Sequence, residues 1–350
     1  MTRKRPPDDP DRDTLVDRRT AMGVGTSKEM PAVDLVGQVV GGYLVEEQLG
    51  KGAMGAVFRG SHIDTHRVVA LKVLHPHLVS EKSVVARFRR EAKLAARLEH
   101  PYIGSVIELV AAEDGRQVIV LEHVEGEPLS SIMTMPLPPE RVTVLVRQLL
   151  LGLEYAHGAG LIHRDLKPDN VLVEWRNGRD HARIVDFGIA ILRDPGEGES
   201  QERLTATGQM IGTPLYMSPE QARGDAIDER TDLFSLGVMV YEMLAGVLPF
   251  EGRALDILSA SLTRDPPPIE KRVPGLLVEP LLELYSRKLM ARDLKKRFAS
   301  ARHALEVLEA IARGDTAAAK LGLGIMDVER ALAVVSLPAA PGLASRGRRP

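Results

Sequence analysis

The chain contains no cysteine. Disulfides, thiolate metal sites and thiol nucleophiles are therefore excluded, and the chemistry has to rest on oxygen and nitrogen groups. Lys and Arg total 46 against 48 Asp and Glu, so no excess of positive charge invites nucleic acid or an anionic membrane. No run of eighteen apolar residues exists, and the late stretch LGLGIMDVERALAVV is cut by Asp327, Glu329 and Arg330, so no membrane span is expected. The opening MTRKRPPDDPDRDTLVDRR lacks the apolar segment of a secretory signal. These absences lead to the expectation of a soluble, cytoplasmic protein. Hydrophobic residues at 44% of 350 supply a sizeable core, enough for one large or two modest domains.

Texture divides the chain into four parts. Residues 1–38 mix both charge signs with Pro6, Pro7 and Pro10, and are expected to form a disordered arm. YLVEEQLG, AVFRGSH, VVALKVL, SVIELVAA and QVIVLEHV read as five short strands, with one helix, SEKSVVARFRREAKLAARLEH, capped by Ser80. That gives a small, mainly β lobe over about 39–123. From 125 to about 312 the periodicity is helical. RVTVLVRQLLLGLEYAHGAG is striped, TDLFSLGVMVYEMLAG is apolar nearly all round and expected to be fully buried, and VEPLLELYSRKLMA and ASARHALEVLEAIAR are amphipathic. Residues 313–350 drift into Ala, Gly, Pro and Arg and are expected to form a flexible tail. The architecture expected is α+β, in two lobes.

Three glycines, Gly50, Gly52 and Gly55, stand at G-x-G-x-x-G spacing in LGKGAMGAVF. A strand rather than a helix follows them, which suits a flap over a nucleotide; an ordinary Gly-rich hairpin has the same look. Lys72 interrupts the apolar run VVALKVL, as a harmless edge-strand lysine also does. On the following helix Val84, Phe88, Glu91, Ala95 and Leu98 fall on one stripe with Glu91 its only charge. A carboxylate on a buried face needs a partner, and Lys72 is the expected one.

The densest cluster is LIHRDLKPDN, residues 161–170, followed by Asp186 at the end of the apolar run in ARIVDFGIA. Phosphoryl transfer from ATP needs a carboxylate to take or orient a hydroxyl proton, oxygen ligands for Mg²⁺, and cations over the transferred group. Asp165, Asn170, Asp186, Lys72 and Lys167 supply that set.

With GKGAMG, VALK, Glu91, HRDLKPDN, DFG, GTPLYMSPE, TDLFSLG and Arg297 in KKRF, residues 43–312 resemble the eukaryotic-like serine/threonine protein kinases, bacterial branch. The resemblance implies a two-lobed kinase fold, ATP with Mg²⁺ or Mn²⁺ as cofactor, and Ser or Thr of other proteins as substrate. It implies Asp165 as base, Lys167 as the cation at the phosphoryl group, and Asn170 and Asp186 as metal ligands. Nucleotide would be held by Leu49, Gly50, Lys51, Gly52, Ala53, Met54, Gly55, Ala56 and Val57, by Ala70, by Lys72 with Glu91, and by Leu172. Leu121 would be the gatekeeper, with backbone groups of Glu122 and Val124 on the base. Asp232 would brace the catalytic loop, although a plain helix cap reads the same from sequence. Glu220 would pair with Arg297. The family's Ala-Pro-Glu is Ser218-Pro219-Glu220 here, and LRDPGEGESQERL lengthens the activation loop.

Thr205 and Thr207, upstream of Thr213 in that loop, are expected phosphorylation sites whose added charge Arg164 would bind, with phosphothreonine-binding domains as partners. Two other functions share the fold. A pseudokinase scaffold usually lacks the base, the lysine or the metal-binding Asp, and none is missing. A small-molecule phosphotransferase would not carry the peptide-seating GTPLYMSPEQ.

Overall fold

The computed structural model describes residues 35–52, 55–75, 82–112, 115–187 and 214–335. Most of the expected arm, Ala53, Met54, Ser80, Thr205, Thr207, Thr213 and residues 336–350 lie outside the described residues.

The small lobe is a sheet in the order β1-β2-β3-β4-β6-β5, antiparallel at each pairing, built from β1 (Val39–Val40), β2 (Tyr43–Lys51), β3 (Gly55–His62), β4 (Val68–Leu74), β5 (Val106–Ala111) and β6 (Gln117–Glu122). The five expected strands are present, and a short β1 precedes them at the start of the expected lobe. Gly37 N–H donates to Val45 O at 2.8 Å and Val45 N–H to Gln38 O at 2.9 Å, which ties residues 37–38 to the sheet. Helix α1 (Lys82–Ala95) packs Phe88 and Ala92 against Leu74, Ile119 and Leu121.

Alternation fixes which sheet face looks into the cleft. Phe58, Val69, Leu71, Val73, Val118 and Val120 are buried, whereas Val57, Ala70 and Lys72 are only partly so. Val57 stands opposite Lys72, and Ala70 lies two residues before it, so these three share the half-open face.

In the large lobe a short β7 (Glu127–Pro128) and helix α2 (Leu129–Ile132) precede α3 (Pro139–Gly158). Strands β8 (Val171–Arg176) and β9 (Arg179–Ile184) form a hairpin turned by Asn177 and Gly178, whose φ of 51° and 79° suit a two-residue hairpin loop. Then come α4 (Pro219–Arg223), α5 (Arg230–Ala245), α6 (Ala254–Thr263), α7 (Ile269–Arg272), α8 (Pro280–Leu289) and α9 (Ala301–Ala312). Helix α5 is buried from Thr231 to Ala245, as its all-round apolarity predicts. At Gly237 a Cβ would sit 2.7 Å from that of Leu289, so the helix surface is cut back there for α8.

Helical structure continues past residue 312. Helices α10 (Thr316–Leu323) and α11 (Ile325–Val335) follow, and bury Ala319, Leu323 and Val328. The Ala- and Gly-rich composition reads as flexible, but small residues also permit close helix contact. A Cβ on Gly322 would lie 2.2 Å from Val307 of α9. Among the described residues no helix is long and apolar enough to cross a membrane.

Candidate active site

The loop after α3 is held from beneath by one carboxylate. Asp232, in the first turn of α5 and sealed from solvent, accepts the N–H groups of His163 at 2.8 Å and Arg164 at 2.9 Å. His157 Nε2 lies 2.8 Å from the same carboxylate. Burial works to raise the Asp232 carboxyl, but the hydrogen bonds and charge of His157 and His163 outweigh it and hold it below the ordinary carboxylate range. Of its two sequence readings, brace and cap, the geometry is that of the brace; the capping position belongs to Glu229. The bonds fix Arg164 at φ 66°, a left-handed turn that a non-glycine residue adopts only when its surroundings impose it. From the other side Gln221 Nε2 donates to Arg164 O at 2.7 Å. Gln221 closes a capping box with Ser218, so the S-x-x-Q spacing in SPEQ signalled the helix start, though not the reach to Arg164.

On this platform the polar residues of LIHRDLKPDN converge. Lys167 Nζ donates to Asp165 Oδ2 at 3.1 Å, and both side chains are partly exposed to the cleft. Asn170, nearly buried, donates its amide N–H to Asp165 O at 2.8 Å. That bond orients the amide, which makes its oxygen the group available to a cation. Val185 N–H donates to Asn170 O at 2.9 Å, and joins the loop to the strand end that carries Asp186. Asp186 itself has φ 64°, and Phe187 beside it is buried with its ring 4.8 Å from that of His163. An amide oxygen and a carboxylate are hard donors of the kind Mg²⁺ takes, so Asn170 and Asp186 fit the ion, with phosphate oxygens and water left to complete its shell.

Lys72 meets Asp186 Oδ2 at 3.1 Å. Glu91, the expected partner of Lys72, lies partly buried on α1, beside the buried Phe88, Ala92 and Ala95.

Leu49, Gly50 and Lys51 end β2, Gly52 follows them, and Gly55, Ala56 and Val57 begin β3, with Gly52 N–H closing on Gly55 O at 2.8 Å. The three glycines differ. A Cβ at Gly55 would stand 2.0 Å from Val73 O, so this glycine is required by sheet packing; Gly50 has open space, and Gly52 meets only Gly55 O at 3.7 Å. Ala56 is buried on the face opposite Val57 and does not share the cleft. Leu172 on β8 is partly exposed across the cleft.

At the junction of the lobes, Glu122 ends β6 and Val124 follows it. Arg183 of β9, which drew no notice in the sequence, bonds both oxygens of Glu122 at 2.6 Å, and its bond holds that carboxyl below the ordinary range against the effect of burial.

Beneath the cleft Arg297 bonds Glu220 at 2.7 and 3.2 Å, and Thr231 Oγ1 donates to Glu220 at 3.0 Å.

Residues 43–306 match the model of the protein kinase domain. Curated relatives include serine/threonine-protein kinase pkn3 of Myxococcus xanthus, 43% identical over 273 residues, covering 77% of this chain and 50% of that protein. PknB of Mycobacterium leprae is 37% identical over 265 residues, covering 74% of this chain and 41% of that one. This chain thus spans about half or less of the length of these relatives. The crystal structure of the PknI kinase domain of Mycobacterium tuberculosis superposes with TM-score 0.60 at 28% identity, covering 78% of this chain and 97% of that one. With the loop, the strand-end aspartate and the two lobes arranged in this way, and the match spanning them all, the chain belongs to the protein kinase domain family.

Proposed function

We propose that this chain is a serine/threonine protein kinase, transferring the γ-phosphoryl group of ATP to hydroxyls of protein substrates with Mg²⁺ or Mn²⁺. The observation that carries the reading is the hydrogen-bonded unit of Asp165, Lys167, Asn170 and Asp186. Base, cation and two oxygen ligands are joined through Asn170 N–H to Asp165 O and Val185 N–H to Asn170 O.

Asp165 orients the substrate hydroxyl and takes its proton, while Lys167, on Oδ2 of the same carboxylate, offsets charge building on the transferred group. A divalent metal held there would supply positive charge against that developing on the transferred group. Asn170 and Asp186 hold it, and Lys72 turns its ammonium to the phosphates. Val57 and Ala70 on one side and Leu172 on the other enclose the adenine, with Leu121 at the back and the backbone of Glu122 and Val124 at its edge. The Lys after the base and the GTPLY segment favour Ser and Thr as acceptors.

The reaction belongs in the cytoplasm, where ATP is held. Autophosphorylation of Thr205 and Thr207 adds a dianion that Arg164 binds and that a phosphothreonine-binding partner can read.

The test is phosphotransfer from radiolabelled ATP by the purified protein, alone and with lysate. Asp165→Asn should cut the rate by about 10²–10⁴-fold and leave nucleotide affinity nearly unchanged. Equal rates in parent and variant overturn the reading.

A further inference from the structure

The nucleotide base and the metal are assigned to different parts of the protein. Glu122 belongs to the six-stranded sheet and Asp186 follows β9 of the three-stranded sheet. Arg183 is the residue that spans them. Its side chain is 9% exposed, and its two terminal nitrogens bond Glu122 Oε1 and Oε2 at 2.6 Å each. Nη2 also donates to Ile103 O at 3.0 Å. Around this fork the backbone is stitched in the same direction. Ile184 N–H donates to Tyr102 O at 2.9 Å, Gly104 N–H to Ile184 O at 2.8 Å, and Glu122 N–H to Ser105 O at 2.9 Å. Ser105 N–H in turn donates to Glu122 Oε2 at 3.3 Å.

Three residues beyond Arg183 comes Asp186, and Val185, the second of the two residues between them, is bonded to Asn170. The path from adenine edge to metal ligands is therefore Glu122, Arg183, the end of β9, then Asp186 and Asn170, with a short bond at each step. Planar bidentate pairing is what a guanidinium provides and an ammonium does not, because only the former fixes the relative orientation of its two ends.

We propose that Arg183 is a positioning residue that locks the adenine-contacting end of β6 to the metal-holding end of β9, so that metal tightens nucleotide binding only while the Arg183–Glu122 fork is intact. The inference rests on the kinase reading above and adds to it a device for coordinating the two halves of the nucleotide site. A mere staple between the sheets would affect stability and leave the metal's contribution to nucleotide affinity unchanged.

The experiment measures binding of a fluorescent ATP analogue to the full chain, in EDTA and across a Mg²⁺ titration, for the parent, Arg183→Gln, Arg183→Lys, Glu122→Gln and the double variant. Residues that orient metal ligands from behind typically change metal affinity by about 10–100-fold. Expected is a loss of about tenfold or more in the Mg²⁺-dependent gain for each single variant, with affinity in EDTA held within about twofold for the two Arg183 variants. Arg183→Lys should be as defective as Arg183→Gln, and the double variant no worse than either single one. Thermal melting is recorded beside each titration. A lowered melting point with the full Mg²⁺ gain retained, or single losses that multiply in the double variant, overturns the inference. If Arg183→Gln does not fold, Glu122→Gln, which keeps the backbone at the adenine edge, decides the matter alone. Failure of the parent to bind Mg²⁺-nucleotide would overturn the kinase reading itself, and is distinguished by that control.

Discussion

Arg297 and Glu220, 77 residues apart in the chain, meet at 2.7 Å with both side chains out of contact with water. Arg297 also donates to Arg230 O at 2.7 Å and Ala291 O at 3.0 Å, and its guanidinium lies 5.2 Å from the ring centre of Phe234. Burial pushes the Glu220 carboxyl up, and the bonds and charge of Arg297 more than reverse that, so its pKa is lowered in the fold. A lowered carboxylate pKa contributes stability above the unfolded value, about 4.3, which is lost as pH falls through the folded one. Arg297→Ala strands a buried carboxylate and should cost about 3–5 kcal/mol at neutral pH by urea unfolding. Glu220→Gln should be destabilising at pH 7 and approach the parent as pH falls from the unfolded value through the lower folded one, where the parent's own Glu220 becomes protonated. A gap between parent and variant that is constant across pH would refute the assignment.

The three glycines of the nucleotide loop should separate on mutation, though their spacing makes them look equivalent. Gly55→Ala puts a Cβ 2.0 Å from Val73 O, so the β3–β4 pairing must shift and the melting temperature should fall. Gly50 has no neighbour within 4 Å of a Cβ, so Gly50→Ala should fold like the parent. Its effect, if the backbone there approaches phosphate, should be a raised KM for ATP. Equal melting temperatures for the two variants would remove the distinction.

How far the sequence discloses the molecule depends on the range of the interaction. Strands and helices follow from period alone, which is why α5 is legible. Asp165, Asn170 and Asp186 are legible because phosphoryl chemistry needs those groups in that order. Arg183 is invisible because its partner lies 61 residues away in another sheet, and an arginine before IVDFG has no local oddity. The helices after 313 are hidden by composition: Ala and Gly suggest a tail, yet they are what allows α10 to lie close against α9.

The activation loop yields a chemical prediction. Thr205 and Thr207 sit in LTATGQMIGT, in a segment lengthened by acidic and Gly residues. Phosphorylation at either adds about −1.5 to −2 charge at pH 7, enough to compete with the acidic insert for Arg164. Mass spectrometry should find both modified in active protein, and neither in Asp186→Asn made in a host without another kinase. The double variant Thr205→Ala, Thr207→Ala should keep ATP binding and lose most activity toward a peptide. Peptide phosphorylation at the parent rate would refute the switch.

The last two helices can be tested by removing them. Leu323 and Val328 are buried, and burial of such side chains is worth about 1.5–3 kcal/mol each as an upper bound. The Lys320–Glu329 pair at 2.9 Å is largely solvent-facing and adds little. Cutting the chain after Ala312 therefore uncovers apolar surface on α9, where Val307 faces Gly322. The shortened protein should melt well below the parent and aggregate on concentration, although every residue assigned to phosphoryl transfer is retained. Gly322→Val, which leaves the chain full length but forces a branched side chain against Val307, should reproduce part of the loss. Unchanged melting in both variants would mean that α10 and α11 rest on the domain without supporting it.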